Sequence, residues 1–453
     1  MELCYCYKIA TFTEMKNKEQ IDSFFLWARK FAQKEKTAGL VLLISAIVAI
    51  FLANSPWRGF YHRLWEIPFG IEFSNFRFTK PLHFWVNEGL MTLFFFFVGL
   101  ELKREFKIGV LSSLRSASLP FSAAIGGMLV PAILFLLVNH SFPENIHGWA
   151  ISSATDIAFA LGLSSLLGNR IPTSFKILLT AIAVADDLGA VLIIAFFYTD
   201  HIVLEALLFA LAFFIILLAS NYIGIRNISY YGILGIGGLW VSMLVAGIHT
   251  TIAGVLVAFL IPARVKVDRF HFTKASLSFI RQFQSSSDGK GSFISGQQLL
   301  ALEKMKHLTR HAHTPLQRLE HTMKPLVNFL VLPLFALANA GVELPNSEGL
   351  LQPVTIGVFL GLVLGKFIGV GGVSWLMVKL KWADLPKGLH SSWMIPLSML
   401  AGVGFTMSLF IADLAFHNSP VLVEEAKAGI IIASFTAGSL GMFLAHNRLK
   451  SKS

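Results

Sequence analysis

Long apolar runs separated by polar segments cover most of the chain. A helix needs about 20 predominantly apolar residues to cross a bilayer. Twelve runs are candidate membrane spans, although the eighth is short and its boundary with the seventh is not sharply marked. They lie near 37–54, 84–102, 118–138, 149–167, 174–198, 202–220, 229–247, 249–262, 326–341, 354–378, 390–414 and 427–445. The pattern predicts an all-α polytopic membrane protein with about twelve transmembrane helices.

The loop between the first two spans has a different pattern. Apolar residues alternate with other residues on both sides of the pair Ser74-Asn75, at Ile67, Phe69, Ile71, Phe73, Phe76 and Phe78. This period of two predicts a small β-hairpin at 66–80, which we expect on the periplasmic side. Because a two-stranded hairpin is marginally stable alone, we expect it to pair with a second copy of itself and form a homodimer.

The polar segments divide the chain into five parts. These are an N-terminal tail at 1–36, spans one to eight at 37–262, a loop at 263–325, spans nine to twelve at 326–445 and a C-terminal tail at 446–453. The loop contains the polar stretch SSSDGKGS at 285–292, which is typical of a flexible segment. Apolar and basic residues then recur near helical spacing, at Leu299, Leu302, Lys304, Met305, Lys306 and Arg310. This pattern predicts a basic helix close to anionic lipid headgroups.

Composition and charge agree with a membrane protein. Hydrophobic residues make up 55% of the chain and charged residues 14%, with a mean hydropathy of +0.67, whereas soluble domains carry about a quarter charged residues. The net charge of +11 is concentrated in the loops, so we attribute it to topology and lipid attraction and expect no nucleic-acid partner. Lys and Arg are frequent in alternate loops, which predicts that both termini lie in the cytoplasm.

A few ionisable residues interrupt the apolar runs and are the candidate chemistry. Asp186 and Asp187 are adjacent in span five, Asp156 follows Thr155 in span four, and Lys366 lies in span ten. A charge at the bilayer centre costs roughly 2.5–3.5 kcal/mol, so these side chains are expected to line an aqueous path or bind a cation. Hard cations such as Na⁺ prefer oxygen ligands, which the carboxylates and the Thr hydroxyl supply. A carboxylate that holds either a proton or a cation is the basis of an exchange mechanism.

Spans four and eleven contain small and polar interruptions. They are SSAT at 152–155 and AGVGFTMS at 401–408, each in the middle of a three-span group. Interrupted segments at matching positions in two halves indicate discontinuous helices in an inverted repeat, at a transporter's ion site. From these residues alone, a small-residue packing interface between continuous helices is equally consistent.

Seven segments resemble the NhaA-type sodium/proton antiporters. They are VGLELKRE (98–105), ATDIAFALG (154–162), AVADDLGA (183–190), HTTIAGV (249–255), LPLFALANAGV (332–342), LGKFIG (364–369) and GVGFTMS (402–408). The resemblance covers roughly 37–262 and 316–447. It implies a secondary-active sodium(lithium)/proton antiporter of the bacterial cytoplasmic (inner) membrane that exports Na⁺ in exchange for H⁺. Such a protein is not an enzyme, needs no cofactor, is regulated by pH and is expected to be electrogenic.

The resemblance also assigns roles to residues. Asp187 is the principal Na⁺ and proton site, with Asp186 also placed at the metal ion. Asp186 pairs with Lys366 and exchanges its proton as that pair breaks. Asp156 and Thr155 lie where the broken helix ends meet.

Two further assignments concern the ends of span two. A pH-responsive cluster is implied at Glu101, Arg104, Glu105, Glu320 and His321, for which solvated charge at the membrane edge is the alternative. Glu88 matches an acidic position on the outer side of the transport path. The chain departs from the family pattern in its extended N-terminal tail, in the insertion within 263–313 and in an extra acid, Asp413.

Two other functions also need charged residues inside a membrane. An intramembrane aspartyl protease also needs paired carboxylates, but these usually come from separate helices, whereas Asp186 and Asp187 are contiguous and Lys366 accompanies them. A sodium-coupled symporter of an organic solute would need a larger polar lining than these spans provide. No GxxxxGK[ST] phosphate-binding loop is present in the sequence, so direct nucleotide drive is not expected.

Overall fold

The computed structural model describes residues 35–73, 76–199, 202–286, 294–343 and 351–450. Within these ranges nine helices are long and apolar enough to cross a membrane, or up to eleven spans if each of two bent helix pairs counts as one. The prediction of a polytopic helical protein is therefore confirmed. The eighth predicted span is a helix of eleven residues, Thr250–Leu260, which is shorter than a full bilayer crossing requires. Most of the predicted N-terminal tail, the turn Ser74-Asn75 and the stretch 287–293 lie outside the described residues.

The chain divides into two compact units. The first comprises 1–91, 110–198 and 325–453, and the second comprises 92–109 and 199–324. Two long helices, α3 (Leu82–Ile108) and α13 (Pro315–Asn339), are divided between them. The other described elements of the first unit are α1 (Glu35–Ala53), α2 (Arg58–Glu66), β1 (Pro68–Phe73), β2 (Phe76–Pro81), α4 (Leu114–Asn139), α5 (Pro143–Ser153, a 3-10 helix), α6 (Ile157–Leu166), α7 (Thr173–Phe197), α14 (Pro353–Lys379), α15 (Ser391–Ala401), α16 (Phe405–Ala415) and α17 (Pro420–Lys450).

The first unit contains both predicted three-span groups. Its two bent pairs are α5 with α6, at an angle of 48°, and α15 with α16, at 44°. α4 packs against α5, α7 and α14. Helix α14 has π-helical turns on both sides of Lys366, and such turns are frequent at functional sites.

The predicted hairpin is confirmed in the first unit. Strands β1 and β2 pair antiparallel, with Pro68 opposite Pro81 and Ile71 opposite Phe78. The indole of Trp85 donates a hydrogen bond of 2.8 Å to the carbonyl of Phe69. This contact ties β1 to the start of α3.

The second unit contains almost all of the segment predicted as the loop 263–325. Its described elements, besides its share of α3 and α13, are α8 (Leu204–Ile223), α9 (Ile228–Val245), α10 (Thr250–Leu260), α11 (Arg269–Ser285) and α12 (Gly296–Ala312). The predicted basic helix is α12, and its N-terminus has a Ser295–Gln298 capping box. The segment before SSSDGKGS is also a helix, α11, capped by Asp268. Helix α13 begins at Pro315, within the predicted loop, so Glu320 and His321 lie on a helix.

Candidate functional site

The two helix breaks of the first unit lie against each other. The backbone N–H of Asp156 donates to the carbonyl of Val403 at 2.7 Å, and the Thr155 hydroxyl donates to the carbonyl of Ala401 at 2.8 Å. The backbones approach so closely that a Cβ added to Gly404 would lie 3.0 Å from the carbonyl oxygen of Ala154. A larger residue at 404 would therefore push the two breaks apart.

Asp156 caps the helix that follows each break. Its Oδ1 accepts from the backbone N–H of Phe159 at 2.9 Å, in the first turn of α6. Its Oδ2 accepts from the backbone N–H of Thr406 at 3.1 Å and from the Thr406 hydroxyl at 2.5 Å, at the start of α16. The exposed fraction of Asp156 is 2%. A carboxylate is stabilised at a helix N-terminus because the unpaired N–H groups carry partial positive charge, and Asp156 serves two such termini.

Lys366 occupies the complementary position at a helix C-terminus. Its Nζ donates to the carbonyl oxygen of Ser153, the last residue of α5, and to the Thr155 hydroxyl at 3.0 Å. The same ammonium forms an ion pair with Asp186 Oδ2 at 2.7 Å. Lys366 is fully buried and Asp186 is 1% exposed. A buried charge of either sign is tolerated only when it is paired and hydrogen-bonded, and this arrangement satisfies both requirements.

Asp187 lies on α7, immediately after Asp186, and is 1% exposed. Adjacent residues of a helix point about 100° apart, so the two carboxylates have different surroundings. The charge of Asp187 is close enough to act on Lys366. The structure thus brings together five predicted site residues around the helix breaks: Thr155, Asp156, Asp186, Asp187 and Lys366.

Oxygen atoms dominate this site. Carboxylates, hydroxyls and the carbonyl oxygens at the helix breaks are the ligand types that hard cations prefer. Among the described residues no cluster of three or more His, Cys, Asp or Glu is arranged to hold a resident metal. The arrangement therefore offers oxygen ligands at the helix breaks.

The predicted regulatory residues lie in the second unit. Arg104 forms ion pairs with Glu105 at 2.9 Å and with Glu320 at 2.8 Å, and its guanidinium lies 3.8 Å from Glu101. All three acids are at least half-buried, and Lys324, one turn after Glu320, is an additional nearby charge. Four of the five predicted residues are therefore in one ion-pair cluster.

The fifth predicted residue, His321, is exposed and takes part in none of these ion pairs within the described ranges. Its neighbour Glu320 points into the cluster, and the next residue of a helix points about 100° away. The prediction that His321 belongs to the cluster finds no contact to support it.

Glu88 is half-buried in a π-helical turn of α3, beside a polar network that sequence reasoning missed. The amide of neighbouring Asn87 donates to Asp413 Oδ2 at 2.6 Å, and Asn339 Nδ2 donates to Asn87 Oδ1 at 2.9 Å. The ring nitrogen of His83 lies 3.1 Å from Asn339 Oδ1. An available signal was the presence of amide side chains inside apolar runs, where each needs a polar partner.

Thr406 is the other residue that sequence reasoning missed. It belongs to the quoted segment GVGFTMS, and its side chain and backbone both donate to Asp156. A hydroxyl directly after a glycine-rich break, at the start of a helix, was the signal available in the sequence.

Comparison with known proteins finds similar sequences that cover most of the chain. A family model described as Na⁺/H⁺ antiporter 1 matches residues 29–445. A Na⁺/H⁺ antiporter NhaA 2 of Syntrophotalea carbinolica is 46% identical over 416 residues, which are 91% of this chain and 94% of that protein. Proteins named Na⁺/H⁺ antiporter NhaA are 42% identical in Oleidesulfovibrio alaskensis, over 96% of both chains, and 45% identical in Acidithiobacillus ferrooxidans, over 91% of this chain and 95% of that protein. These matches cover the helix breaks, α7 and α14.

Proposed function

The chain belongs to the Na⁺/H⁺ antiporter 1 family, and from this premise we propose that it exchanges Na⁺ for H⁺ across a bacterial inner membrane. Protons that enter down their gradient drive Na⁺ out of the cell. Li⁺, a hard monovalent cation that suits the same oxygen ligands, is a second substrate. The observation that carries the proposal is the buried set of three carboxylates and one ammonium at the helix breaks.

The exchange follows from competition at these carboxylates. Asp187 holds either a proton or a cation, because a second positive charge at the same carboxylate is repelled. When Na⁺ binds between Asp187 and Asp186, it competes with Lys366 for Asp186 Oδ2. The ion pair then breaks and a proton leaves from Lys366 Nζ, because Asp186 is already ionised in the pair. Release of this proton together with one from Asp187 moves two protons per Na⁺, which makes the exchange electrogenic.

The helix breaks support alternating access. We propose that α5 with α6, and α15 with α16, are each one interrupted span, and that α4–α7 and α14–α17 form an inverted repeat. Asp156 and Lys366 neutralise the partial charges of the helix ends at the two breaks. The pairing of Asp186 with Lys366 differs from the proton-sharing pair of carboxylates that an aspartyl protease needs, which supports transport over proteolysis.

The cluster of Glu101, Arg104, Glu105 and Glu320 is our candidate for pH regulation. Its ion pairs depend on ionised carboxylates, so a change in their protonation alters the attachment of α13 to α3 within the second unit. Glu88 is our candidate for the outer path. We also propose that both termini lie in the cytoplasm.

We also propose that the protein forms a homodimer through the 66–80 hairpin. In the part of the chain that the structure describes, β1 and β2 form a two-stranded sheet, so one edge of each strand is not covered there by another strand. An edge of this kind can pair with the same edge of a second copy. Membrane lipids are the other expected partners.

Exchange can be tested in proteoliposomes that hold a pH-sensitive dye. With Na⁺ loaded inside and none outside, we expect the interior to acidify as Na⁺ leaves and H⁺ enters, and choline loading should give no signal. The Asp187→Asn variant, reconstituted at the same density, is the matched control because it retains shape and removes the charge. A Na⁺-dependent signal equal in the two proteins would contradict the proposed site, and its absence in the unsubstituted protein would contradict the function.

A further inference from the structure

The insertion within the second unit is a helical hairpin formed by α11 and α12. The ends of the two helices at its tip are joined by hydrogen bonds from the Ser295 hydroxyl to the carbonyl of Ser286, at 3.1 Å, and from Gln298 Nε2 to the carbonyl of Phe283, at 3.1 Å. At its base, the N–H of Lys266 donates to the carbonyl of His311 at 3.2 Å. The two helices are therefore held antiparallel along their length.

This helical hairpin has almost no core of its own. No residue of α11 is buried, and only Gln298 and Ala301 are buried in α12. Phe270 is 74% exposed, Leu277 52% and Ile280 43%. Exposed apolar side chains that share one face of a helix mark an interaction surface.

The exposed apolar residues of α11 lie on one basic face. At 100° per residue, Phe270, Leu277 and Ile280 fall with Lys274 and Arg281 inside an arc of about 120°. We call these five residues the outer face of α11. The partly buried residues of the helix, such as Phe272, Ala275, Phe279 and Phe283, lie on the opposite side. An apolar stripe flanked by bases is the pattern of a helix that lies in a lipid headgroup region.

Charge indicates which occupant the outer face suits. Helices α11 and α12 contain one acid, Glu303, and six bases, and a second acid, Asp268, caps α11. The bases are Arg269, Lys274, Arg281, Lys304, Lys306 and Arg310. Eight residues separate the end of α10 from the start of the helical hairpin, and two residues separate its end from the start of α13. Because α13 is a candidate membrane span, a lipid surface lies within reach. We propose that the outer face of α11 docks on anionic phospholipid headgroups with its apolar residues inserted between them.

The base of the helical hairpin is connected by hydrogen bonds to the helix that contributes to the ion-pair cluster of the second unit. The N–H of Leu316 in α13 donates to the carbonyl of Pro262 at 3.3 Å, and Arg226 donates to the carbonyl of His313 at 3.0 Å. The base of the hairpin is thus attached to the helix that carries Glu320. The charges that face Glu320 are Arg104, Glu105 and Glu101 from α3, and Lys324 on its own helix. Docking therefore biases the position of Glu320 against Arg104; its effect on exchange rests on the proposed function.

The docking is tested with an environment-sensitive label on the whole protein in vesicles. Cys4 and Cys6 are the only cysteines and are replaced by Ser. A label at Thr273→Cys reports on the outer face, and one at Ser278→Cys is the matched control because Ser278 is also exposed but lies about 140° away around the same helix. We expect the Thr273 label alone to shift to the blue, and to be quenched by brominated acyl chains, when phosphatidylglycerol is added to phosphatidylcholine vesicles.

Charge variants then identify the face. Each base near an anionic surface strengthens attachment roughly fivefold, so Lys274→Gln with Arg281→Gln should raise the phosphatidylglycerol needed for the shift, with about 25-fold weaker attachment. The pair Lys304→Gln with Arg310→Gln loses the same charge from α12 and should retain the shift. An emission that ignores phosphatidylglycerol, an equal effect of both pairs, or a shift that follows protein density instead of lipid would overturn the proposal; the last outcome would assign the face to a second copy.

The regulatory consequence is measured in the same vesicles. We expect the pH dependence of Na⁺-driven proton flux to differ between the two lipid mixtures, and the Lys274→Gln/Arg281→Gln protein to lose that difference. A retained difference in this variant would overturn the link to Glu320. If the unsubstituted protein shows no flux in either mixture, the proposed function fails, while the label still decides whether the face docks.

Discussion

Replacement of Lys366 by Ala tests the buried ion pair most directly. The substitution removes the ammonium from Asp186 Oδ2, from the Thr155 hydroxyl and from the carbonyl of Ser153. Both members of the pair are almost completely buried. Removal of one partner from a buried pair costs about 3–5 kcal/mol because the other charge is left without compensation.

The size of this loss is measurable as a melting temperature. At about 2.1 cal/mol/K per residue, 453 residues correspond to an unfolding entropy of about 1 kcal/mol/K. We therefore expect Lys366→Ala to lower the Tm of the purified protein by about 3–5 °C. Lys379→Ala is the control, since Lys379 is an exposed residue at the end of the same helix, with its Nζ over the Trp375 ring.

The double substitution Lys366→Ala with Asp186→Asn completes the test. It leaves no charge at the pair, so we expect its loss to be smaller than the sum of the two single losses by about 1–3 kcal/mol. Thermal unfolding followed by intrinsic fluorescence, at one pH and in one detergent, gives all four values. Losses that simply add would refute the reasoning, because independent sites are additive.

Four further predictions test other parts of the molecule. Asp187→Asn should abolish Na⁺-driven proton flux, while the free energy of unfolding stays within about 1 kcal/mol of that of the unsubstituted protein. Retained flux would remove Asp187 from the mechanism. Asp156→Asn weakens the charge-assisted bonds to two helix N-termini and should cost about 2–4 kcal/mol; Thr406→Val, which removes a single donor, should cost less, and the reverse order would contradict the double cap. Deletion of 68–81 should give monomers in detergent by light scattering with flux still measurable, whereas an unchanged dimer would assign the contact elsewhere. Removal of 270–312 should leave exchange active with the same pH profile in neutral and anionic vesicles, and loss of flux at every pH would instead assign the insertion a structural role.

Several features of this protein depend on local sequence and were predictable from it. A charge inside a bilayer is costly, and the apolar segment around it shows that it lies there. The sequence alone therefore marked four residues as candidates: Asp156, Asp186, Asp187 and Lys366. The alternation around Ser74-Asn75 predicted the strand pair, and the structure supplied its register. Apolar run length likewise predicted most of the membrane helices, because crossing a bilayer sets a minimum length.

Pairing between distant segments was decided only by the tertiary structure. Lys366 and Asp186 are 180 residues apart, and Thr406 and Asp156 are 250 apart. No periodicity reports such contacts, because they arise from which helices pack side by side. The resemblance to known antiporters suggested the first pair. The double cap by Asp156 could be recognised only from the structure, in which the two helix breaks lie against each other.

The ends of helices and the direction of single side chains also needed the fold. The short length of α10, the helical first half of the insertion and the exposure of His321 were not predicted from the sequence. Each depends on caps and neighbours that lie outside the local window, and one residue along a helix changes the direction of a side chain by about 100°. Sequence alone determined which charges the membrane must accommodate in this protein, and the packed helices decided which of them are partners, since partnership requires atoms within a few ångströms of each other.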